Sequence, residues 1–213
     1  MPLLLLIRHA VTAATGRSLT GWTPGVHLSD QGTGQARALA ERLTPVPISA
    51  MYSSPLERCL ETAEPVAAQK RLSVTRVDDL GEVRYGDWTG RSLAQLSRTR
   101  LWKTVQSSPS NARFPNGESL LEVQERAARE VGRITAMHPR GVVAAFSHGD
   151  VIRLLLAHFS GVHVDLFQRL VISPASITAI ALGDGVPRIL RVNDTGAVGD
   201  LIPAKPRPRK MGT

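Results

Sequence analysis

The stretch Leu3-Leu4-Leu5-Leu6-Ile7-Arg8-His9 decides the fold of this 213-residue chain. A short, continuous apolar run is typical of a strand that is buried on both faces, as in parallel sheets covered by helices. The run ends at Arg8 and has no basic segment before it, so it fits neither a signal peptide nor a membrane span. The sequence therefore predicts a central strand with Arg8 and His9 at its carboxyl end.

Further apolar segments alternate with helical patterns along the chain. The predicted strands are Leu3 to Ile7, Ser49 to Tyr52, Leu72 to Val77, Val142 to Phe146, Ser176 to Leu182 and Arg188 to Val192. Predicted helices cover Gln31 to Leu43, a segment capped by Ser54 with Pro55 as its first residue, and a segment from the capping box of Ser119 and Glu122 to about Met137. This alternation predicts an α/β three-layer sandwich, in which a mostly parallel sheet is flanked by helices on both faces.

Composition indicates an ordinary soluble protein, with 42% hydrophobic and 21% charged residues. Residues 1–203 are predicted to form one domain, and the Pro-rich basic tail 204–213 is predicted to be disordered. The net charge is +8, and +4 remains without the four cations of the segment Leu201 to Thr213. A basic body suits an anionic substrate. Nucleic-acid binding is disfavoured because the tail has no aromatic residue for base stacking.

Cys59 is the single cysteine, so no internal disulfide can form and a reducing cytoplasm is the expected compartment. It lies on the apolar stripe of a predicted helix, which favours a core position over a reactive thiol. Four histidines lack the spacing of metal ligands, namely His27, His138, His158 and His163. No metal, cofactor or membrane contact is predicted, and a homo-oligomer remains possible.

Polar side chains follow four of the predicted strands at the point where each strand ends. They are Arg8 and His9 after the first strand, Ser53, Ser54 and Arg58 after the second, Glu82 after the third, and Ser147, His148 and Gly149 after the fourth. Ligands of open α/β sheets bind outside the carboxyl ends of the strands. If these strands are parallel neighbours, the polar groups converge on one pocket.

The residue types in this group favour phosphate chemistry. Each planar guanidinium can donate two parallel hydrogen bonds, so Arg8 and Arg58 suit a tetrahedral dianion better than a single carboxylate. A histidine against phosphorus can act as the nucleophile, and a nearby carboxylic acid can protonate the leaving oxygen. Each residue alone also has an ordinary structural explanation, and their joint position favours an active site.

The run Leu6-Ile7-Arg8-His9-Ala10 resembles the Arg-His-Gly signature of the histidine phosphatase superfamily, the phosphoglycerate-mutase-like proteins. The similarity continues in the family's order through Leu28 to Gly32 with Gln35 and Ala36, Ser53 to Arg58, Glu82 with Gly86, Trp88 and Gly90, and Ser147 to Gly149. Five ordered blocks are far more specific than one short motif. Asp79 to Arg91, Phe114 to Glu118 and Leu166 to Arg169 also resemble an actinobacterial group of phosphomutase-like proteins.

The resemblance implies the catalytic roles. His9 is the residue expected to be phosphorylated during turnover, and Arg8, Arg58 and His148 are expected to hold the phosphoryl group. Glu82 occupies the position of the acid that protonates the leaving group. Glu118 is a second candidate acid, although its place before a helix start also suits a favourable helix-end charge.

The resemblance also implies a substrate-binding set, and it shows one departure there. Thr12 is expected to contribute a hydroxyl to the phosphate pocket, and Thr15 stands where mutases often have Asn. Gly21 and Gly149 complete the predicted set. Ala10 replaces the usual Gly, so the pocket must adjust if that position needs a positive φ or a close backbone approach to phosphate.

A phosphatase is favoured over a mutase. Val83 follows Glu82 where phosphoglycerate mutases carry an Arg for the substrate carboxylate, and the long insertion of those mutases after this segment is missing. The sequence therefore predicts a phosphomonoesterase that acts on a small phosphorylated metabolite, of the histidine acid phosphatase type. The alternatives are a phosphomutase, a non-catalytic module that binds a phosphorylated ligand, and nucleic-acid binding through the tail.

Overall fold

The computed structural model describes residues 1–183 and 185–196, so the predicted tail 204–213 lies outside the described residues. The strands are β1 (Leu3–Arg8), β2 (Ile48–Ser53), β3 (Val74–Arg76), β4 (Val142–Ser147), β5 (Ile177–Ala181) and β6 (Arg188–Asp194). The helices are α1 (Asp30–Arg42), α2 (Glu57–Lys70), α3 (Leu93–Leu96), α4 (Arg100–Ser107), α5 (Leu120–Met137) and α6 (Gly149–Ser160). Short 3₁₀ turns cover Asp78–Leu80, Gly86–Trp88, Pro109–Asn111 and Val164–Arg169.

The six strands form one mixed sheet in the order β3-β2-β4-β1-β5-β6. β3, β2, β4 and β1 are parallel, whereas β5 and β6 continue the sheet in antiparallel fashion. β1 and β4 lie at the centre, as their continuously apolar sequences predict. The predicted α/β fold with a mostly parallel sheet is confirmed.

Alternate side chains of the central strands point to opposite faces of the sheet. Leu5 and Ile7 pack with α1 and α2 on one face, and Leu4 and Leu6 pack with α5 and α6 on the other. Cys59 is fully buried in the first of these two layers. No helix of the described residues is long and apolar enough to cross a membrane.

Two of the three predicted helices begin with a side-chain cap, and one of these caps was predicted. Ser29 caps α1 by accepting from the backbone N–H of Gly32, and the predicted capping box of Ser119 opens α5. The predicted start of α2 is wrong, because that helix begins at Glu57. The hydroxyl of Ser54 instead accepts from the N–H of Leu56 and from His148, so Ser54 serves the turn that leads into the site.

Candidate active site

The crevice between β1 and β4 brings the predicted polar residues together. Arg8 pairs with Ser147 in the parallel register, and the backbone N–H of His9 donates to the carbonyl of Ser147 at 2.9 Å. The chain then leaves β1 toward the layer of α1 and leaves β4 toward the layer of α6, which opens a crevice at the carboxyl ends of both strands. A cavity of about 260 Å³ lies there, lined by Arg8, His9 and Glu82 among others.

His9 has one ring nitrogen committed and the other free. Its Nδ1 lies 2.7 Å from the carbonyl oxygen of Ala10, and since a carbonyl only accepts, Nδ1 carries the proton. Nε2 therefore keeps its lone pair, and it has no hydrogen-bond partner among the described residues. Burial, together with the charges of Arg58 and Arg8, lowers the pKa of His9 to about 3. The free imidazole is thus a neutral nucleophile across the physiological pH range.

Two guanidinium groups next to His9 have unused donors. Arg8 donates from Nη1 to the carbonyl of Ile172 at 2.6 Å, and Arg58 donates from Nη2 to the carbonyl of Gly21 at 2.9 Å. Nε of Arg8 and both Nε and Nη1 of Arg58 are buried, with no partner among the described residues. Buried donors without protein acceptors are costly in free energy, and an anionic ligand would relieve that cost. Arg58 is buried and is not among the residues that line the cavity.

His148 is fully buried and connects several of these groups. Its Nδ1 accepts from Nη2 of Arg58 at 3.2 Å, so the proton sits on Nε2, which donates to the hydroxyl of Ser54 at 2.8 Å. Burial, then the charge of Arg58, moves the pKa of His148 well below its usual value. His148 is therefore neutral in the free protein.

Glu82 lies within the same group, with Oε2 3.7 Å from Nδ1 of His148. Its Oε1 accepts from the backbone N–H of Val83 at 3.0 Å. Burial, followed by the neighbouring charge of Asp150, raises the pKa of Glu82 to about 7. A carboxyl group with such a pKa can both give and take a proton near neutral pH.

The segment after β1 forms one wall of the cavity. The hydroxyls of Thr12 and Thr15 lie 3.1 Å apart, and that of Thr15 also accepts from the N–H of Thr12. Both residues line the cavity, as does Gly149 at the start of α6. A Cβ at Gly149 would come within 3.1 Å of Nε of Arg8, so glycine permits this close approach. Gly21 does not line the cavity and instead reaches the site through Arg58.

The departures at Ala10 and Val83 are accommodated differently. Ala10 is fully buried, and the non-glycine residues with positive φ in the described chain do not include it. Its N–H donates to the hydroxyl of Thr62 at 3.0 Å, so no adjustment of the backbone is needed for alanine. Val83 is fully buried in the hydrophobic core, so this position presents no cation to the substrate.

Sequence reasoning missed Asp150, Arg153 and Gln168 of the cavity wall, whereas Tyr85 and Trp102 are among the aromatic residues for which it offered both the pocket mouth and core packing. Asp150 and Arg153 lie in the first turns of α6, and the hydroxyl of Tyr85 donates to Asp150. Trp102 and Gln168 complete this side of the cavity. Asp150 and Arg153 could have been found, because they directly follow the motif Ser147-His148-Gly149 at helical spacing. For Gln168 the sequence offers no such signal.

Glu118, the second candidate acid, and three nearby aromatic residues stabilise the scaffold. Glu118 forms an ion pair with Arg126, whose Nη atoms donate to the carbonyls of residues 79, 81 and 82, so this pair supports the backbone that carries Glu82. Trp88 and Phe114 are buried in the core, and Trp22 donates to the carbonyl of Glu82. Among residues 1–183 and 185–196, no group of three or more His, Cys, Asp or Glu is arranged to hold a metal ion.

Comparison with known proteins agrees with this geometry. Residues 4–195 match the sequence model of the histidine phosphatase superfamily (branch 1). The chain belongs to this superfamily. The predicted family, and a phosphatase of small phosphorylated metabolites as the class of function, are thereby confirmed.

Individual relatives span almost the whole chain. Phosphoserine phosphatase 1 of Hydrogenobacter thermophilus is 29% identical over 205 residues, which cover 93% of this chain and 95% of that protein. The phosphoglycerate mutase-like protein 4 of Arabidopsis thaliana is 33% identical over 71% of this chain and 68% of its own. The solved structure of YhfR from Bacillus stearothermophilus superposes with a TM-score of 0.86 at 27% identity, covering 91% of this chain and 98% of that one.

Proposed function

We propose that the protein is a metal-independent phosphomonoesterase in which Nε2 of His9 is the nucleophile. The observation that carries this proposal is the hydrogen bond from Nδ1 of His9 to the carbonyl of Ala10. It fixes the tautomer and leaves a lone pair on Nε2, in a cavity that Arg8 and Glu82 also line.

The first step transfers the phosphoryl group to His9. Nε2 attacks phosphorus, the P–N bond forms, and the bond to the leaving oxygen breaks. Glu82 gives its proton to that oxygen, so the product leaves as an alcohol. The unused donors of Arg8 and Arg58 stabilise the charge on the equatorial oxygens.

The second step regenerates the enzyme. A water molecule attacks phosphorus, ionised Glu82 takes one of its protons, and the P–N bond breaks to release inorganic phosphate. A pKa near 7 suits both duties of this carboxyl group. Arginine donors stabilise the charge in this scheme, and the carboxylate Asp150 is already paired with Arg153, so no step requires a metal ion.

Hydrolysis is favoured over transfer to a second metabolite. Position 83 supplies no cation for a substrate carboxylate, since Val83 is buried. The products of a labelled ester, incubated with and without a candidate acceptor, separate the two reactions. Release of inorganic phosphate at the same rate in both supports hydrolysis, and label that moves mainly to the acceptor contradicts it.

Trapping tests the nucleophile. Acid-sensitive label from a ³²P-phosphate ester is expected on His9 of the wild-type protein and absent from His9→Ala, with turnover lost in that variant. His158→Ala is the matched control because His158 is exposed and is not among the residues that line the cavity. Full activity of His9→Ala, or a stable phosphate on a serine, would contradict the proposal.

A further inference from the structure

The charges that line the cavity are almost balanced before a substrate arrives. The charged lining residues are Arg8, Glu82, Asp150 and Arg153. Arg8 and Glu82 act at the phosphoryl group and the leaving oxygen in the proposed chemistry, so Asp150 and Arg153 are the charged lining residues left to contact the rest of the leaving group. Whether Asp150 and Arg153 offer an unpaired charge therefore decides whether the cavity accepts charged leaving groups.

Asp150 and Arg153 form an ion pair that neutralises both charges. Nη1 of Arg153 donates to Oδ1 of Asp150 at 3.0 Å, and the hydroxyl of Tyr85 donates to Oδ2 at 3.0 Å. Both side chains are about one quarter exposed, so this pair is only partly screened by water. A substrate carboxylate near Arg153 would be repelled by Asp150, and a substrate amine near Asp150 would be repelled by Arg153. The pair therefore disfavours a charged leaving group of either sign.

Neutral polar groups in the same cavity are uncommitted. Ser18, Thr20 and Gln168 line it, and their side chains make no hydrogen bond to any described residue. Two hydroxyls and one amide can both donate and accept. This is the set that recognises hydroxyl groups, because each hydroxyl also donates and accepts.

Apolar side chains line the same cavity. Leu19, Leu93 and the indole of Trp102 line the cavity, and Trp102 is stacked on Trp88 with a ring distance of 6.3 Å. A rigid aromatic surface packs well against the C–H groups of a carbon chain or ring. The cavity thus combines hydroxyl recognition with an apolar contact.

We infer that the leaving group is a small, neutral, polyhydroxylated alcohol, so that the substrates are sugar or polyol monophosphates. This inference rests on the proposed function and specifies its substrate class. The size agrees with a small ligand, since about 260 Å³ is slightly below the roughly 300 to 1000 Å³ typical of ligand pockets. One sugar ring or a short polyol suits such a volume better than a nucleotide.

Matched esters test the charge part of the inference. Glycerol 3-phosphate and 3-phosphoglycerate share a carbon skeleton and differ in a neutral hydroxymethyl group against a carboxylate. The wild-type enzyme is expected to show at least a tenfold higher kcat/KM for the glycerol ester. An equal or higher kcat/KM for 3-phosphoglycerate, or for O-phosphoserine, would overturn the inference.

Removing one charge tests the pair itself. In Asp150→Asn the guanidinium of Arg153 loses its counter-charge, so the ratio of kcat/KM for 3-phosphoglycerate to that for glycerol 3-phosphate should rise about tenfold. Any general loss of catalysis cancels in this ratio. Asp30→Asn removes the same charge from an exposed position of α1 outside the cavity and should leave the ratio unchanged. An unchanged ratio in Asp150→Asn overturns the inference.

A second pair of esters tests hydroxyl recognition. Glycerol 3-phosphate should exceed propyl phosphate in kcat/KM about tenfold, and Gln168→Leu should reduce that gap, because a site built for hydroxyl groups rejects an analogue without them. Equal rates for the two esters in the wild type contradict the inference.

Failure of the proposed function has a different signature. In that case p-nitrophenyl phosphate is not hydrolysed and His9 is not labelled by any ester. Calorimetry then still tests the inference, because a binding protein of this specificity should have a lower Kd for glycerol 3-phosphate than for 3-phosphoglycerate.

Discussion

Arg58 donates from Nη2 to the carbonyl oxygen of Gly21 at 2.9 Å, although 37 residues of chain separate them. Gly21 has a φ of +50°, and this left-handed backbone conformation suits glycine. A Cβ there would also come within 3.2 Å of the ring of Tyr85. Gly21 is thus a positioning residue for Arg58, which explains how a residue outside the cavity contributes to the site.

Arg58→Lys is expected to lower kcat about 10² to 10³-fold. A lysine keeps the charge, but its single ammonium cannot bond to Gly21, His148 and a phosphoryl oxygen in the fixed geometry of a guanidinium. Steady-state rates with a phosphate ester provide the measurement. Arg37→Lys, on the exposed side of α1, is the control and should behave as wild type. Wild-type kcat in Arg58→Lys would show that Arg58 serves packing alone.

Ala175→Gly is expected to stabilise the protein. Ala175 has a φ of +55°, which is strained for a residue with a side chain. Its N–H donates to the carbonyl of Arg8 at 3.1 Å, so the strained residue is hydrogen-bonded to the end of β1. Relief of the left-handed strain, offset by the greater freedom of glycine in the unfolded chain, should raise the free energy of unfolding by roughly 0.5 kcal/mol.

Denaturant unfolding of this variant provides the measurement. Ala38→Gly in the exposed middle of α1 is the control, because there the same change should destabilise by about 0.5 to 1 kcal/mol. A loss of stability in Ala175→Gly would mean that the methyl group contributes more by packing than the backbone strain costs.

The sequence predicted the centre of the sheet well because β1 and β4 are buried on both faces and need unbroken apolar runs. The lengths of the strands at the edges of the sheet were harder to predict. At one edge the predicted strand Leu72 to Val77 is reduced to Val74–Arg76, whereas at the opposite edge β6 extends beyond the predicted Val192 to Asp194. The start of α2 was misplaced because the hydroxyl of Ser54 is used by His148 as well as by the turn.

The same contrast holds in the active site. Arg8 ends β1, His9 follows it, and Glu82 lies six residues after β3, so their convergence at the carboxyl ends of the strands could be predicted from parallel pairing. Trp102 and Gln168 come from a helix and a 3₁₀ turn whose positions depend on packing between distant segments. No local pattern encodes such packing, so no sequence signal marked Gln168, and Trp102 was left open between the pocket mouth and the core.

Glu82→Gln is expected to stabilise the protein at alkaline pH. The pKa of Glu82 is about 7 in the folded protein against 4.5 in the unfolded chain, so between these values the unfolded state ionises first. Stability therefore falls as pH rises from about 4.5 to 7 in the wild type, and this loss is absent in the glutamine variant. The gain of the variant should reach roughly 1 to 3 kcal/mol above pH 8.

Urea unfolding of both proteins at pH 5 and pH 8.5 tests this sign. The difference in stability should be larger at pH 8.5. The lowered pKa of His9 contributes in the same way to both proteins, so it cancels in the difference. A difference that is larger at pH 5 would show that Glu82 is ionised in the folded protein at that pH.

Exhaustive chelation should leave the rate of hydrolysis unchanged. Magnesium needs several free oxygen ligands. The carboxylate of Asp150 is already hydrogen-bonded to Arg153 and Tyr85, and the carboxyl group of Glu82 serves as proton donor and acceptor in the proposed mechanism. Rates before and after treatment with EDTA provide the measurement. A loss of activity that added magnesium or zinc restores would contradict the proposed mechanism.

Glu82→Gln should slow alkyl esters far more than aryl esters in the phosphorylation step. An alkoxide leaves poorly without a proton, whereas p-nitrophenolate is a stable anion, so loss of the acid should cost about 10² to 10⁴-fold for glycerol 3-phosphate. Burst kinetics with p-nitrophenyl phosphate separate phosphorylation from hydrolysis of the phosphoenzyme, which also loses its base. Glu125→Gln, at an exposed position of α5, is the control and should match wild type. If Glu118→Gln showed this dependence on the leaving group and Glu82→Gln did not, the acid would be Glu118, while the role of His9 as nucleophile would be unaffected.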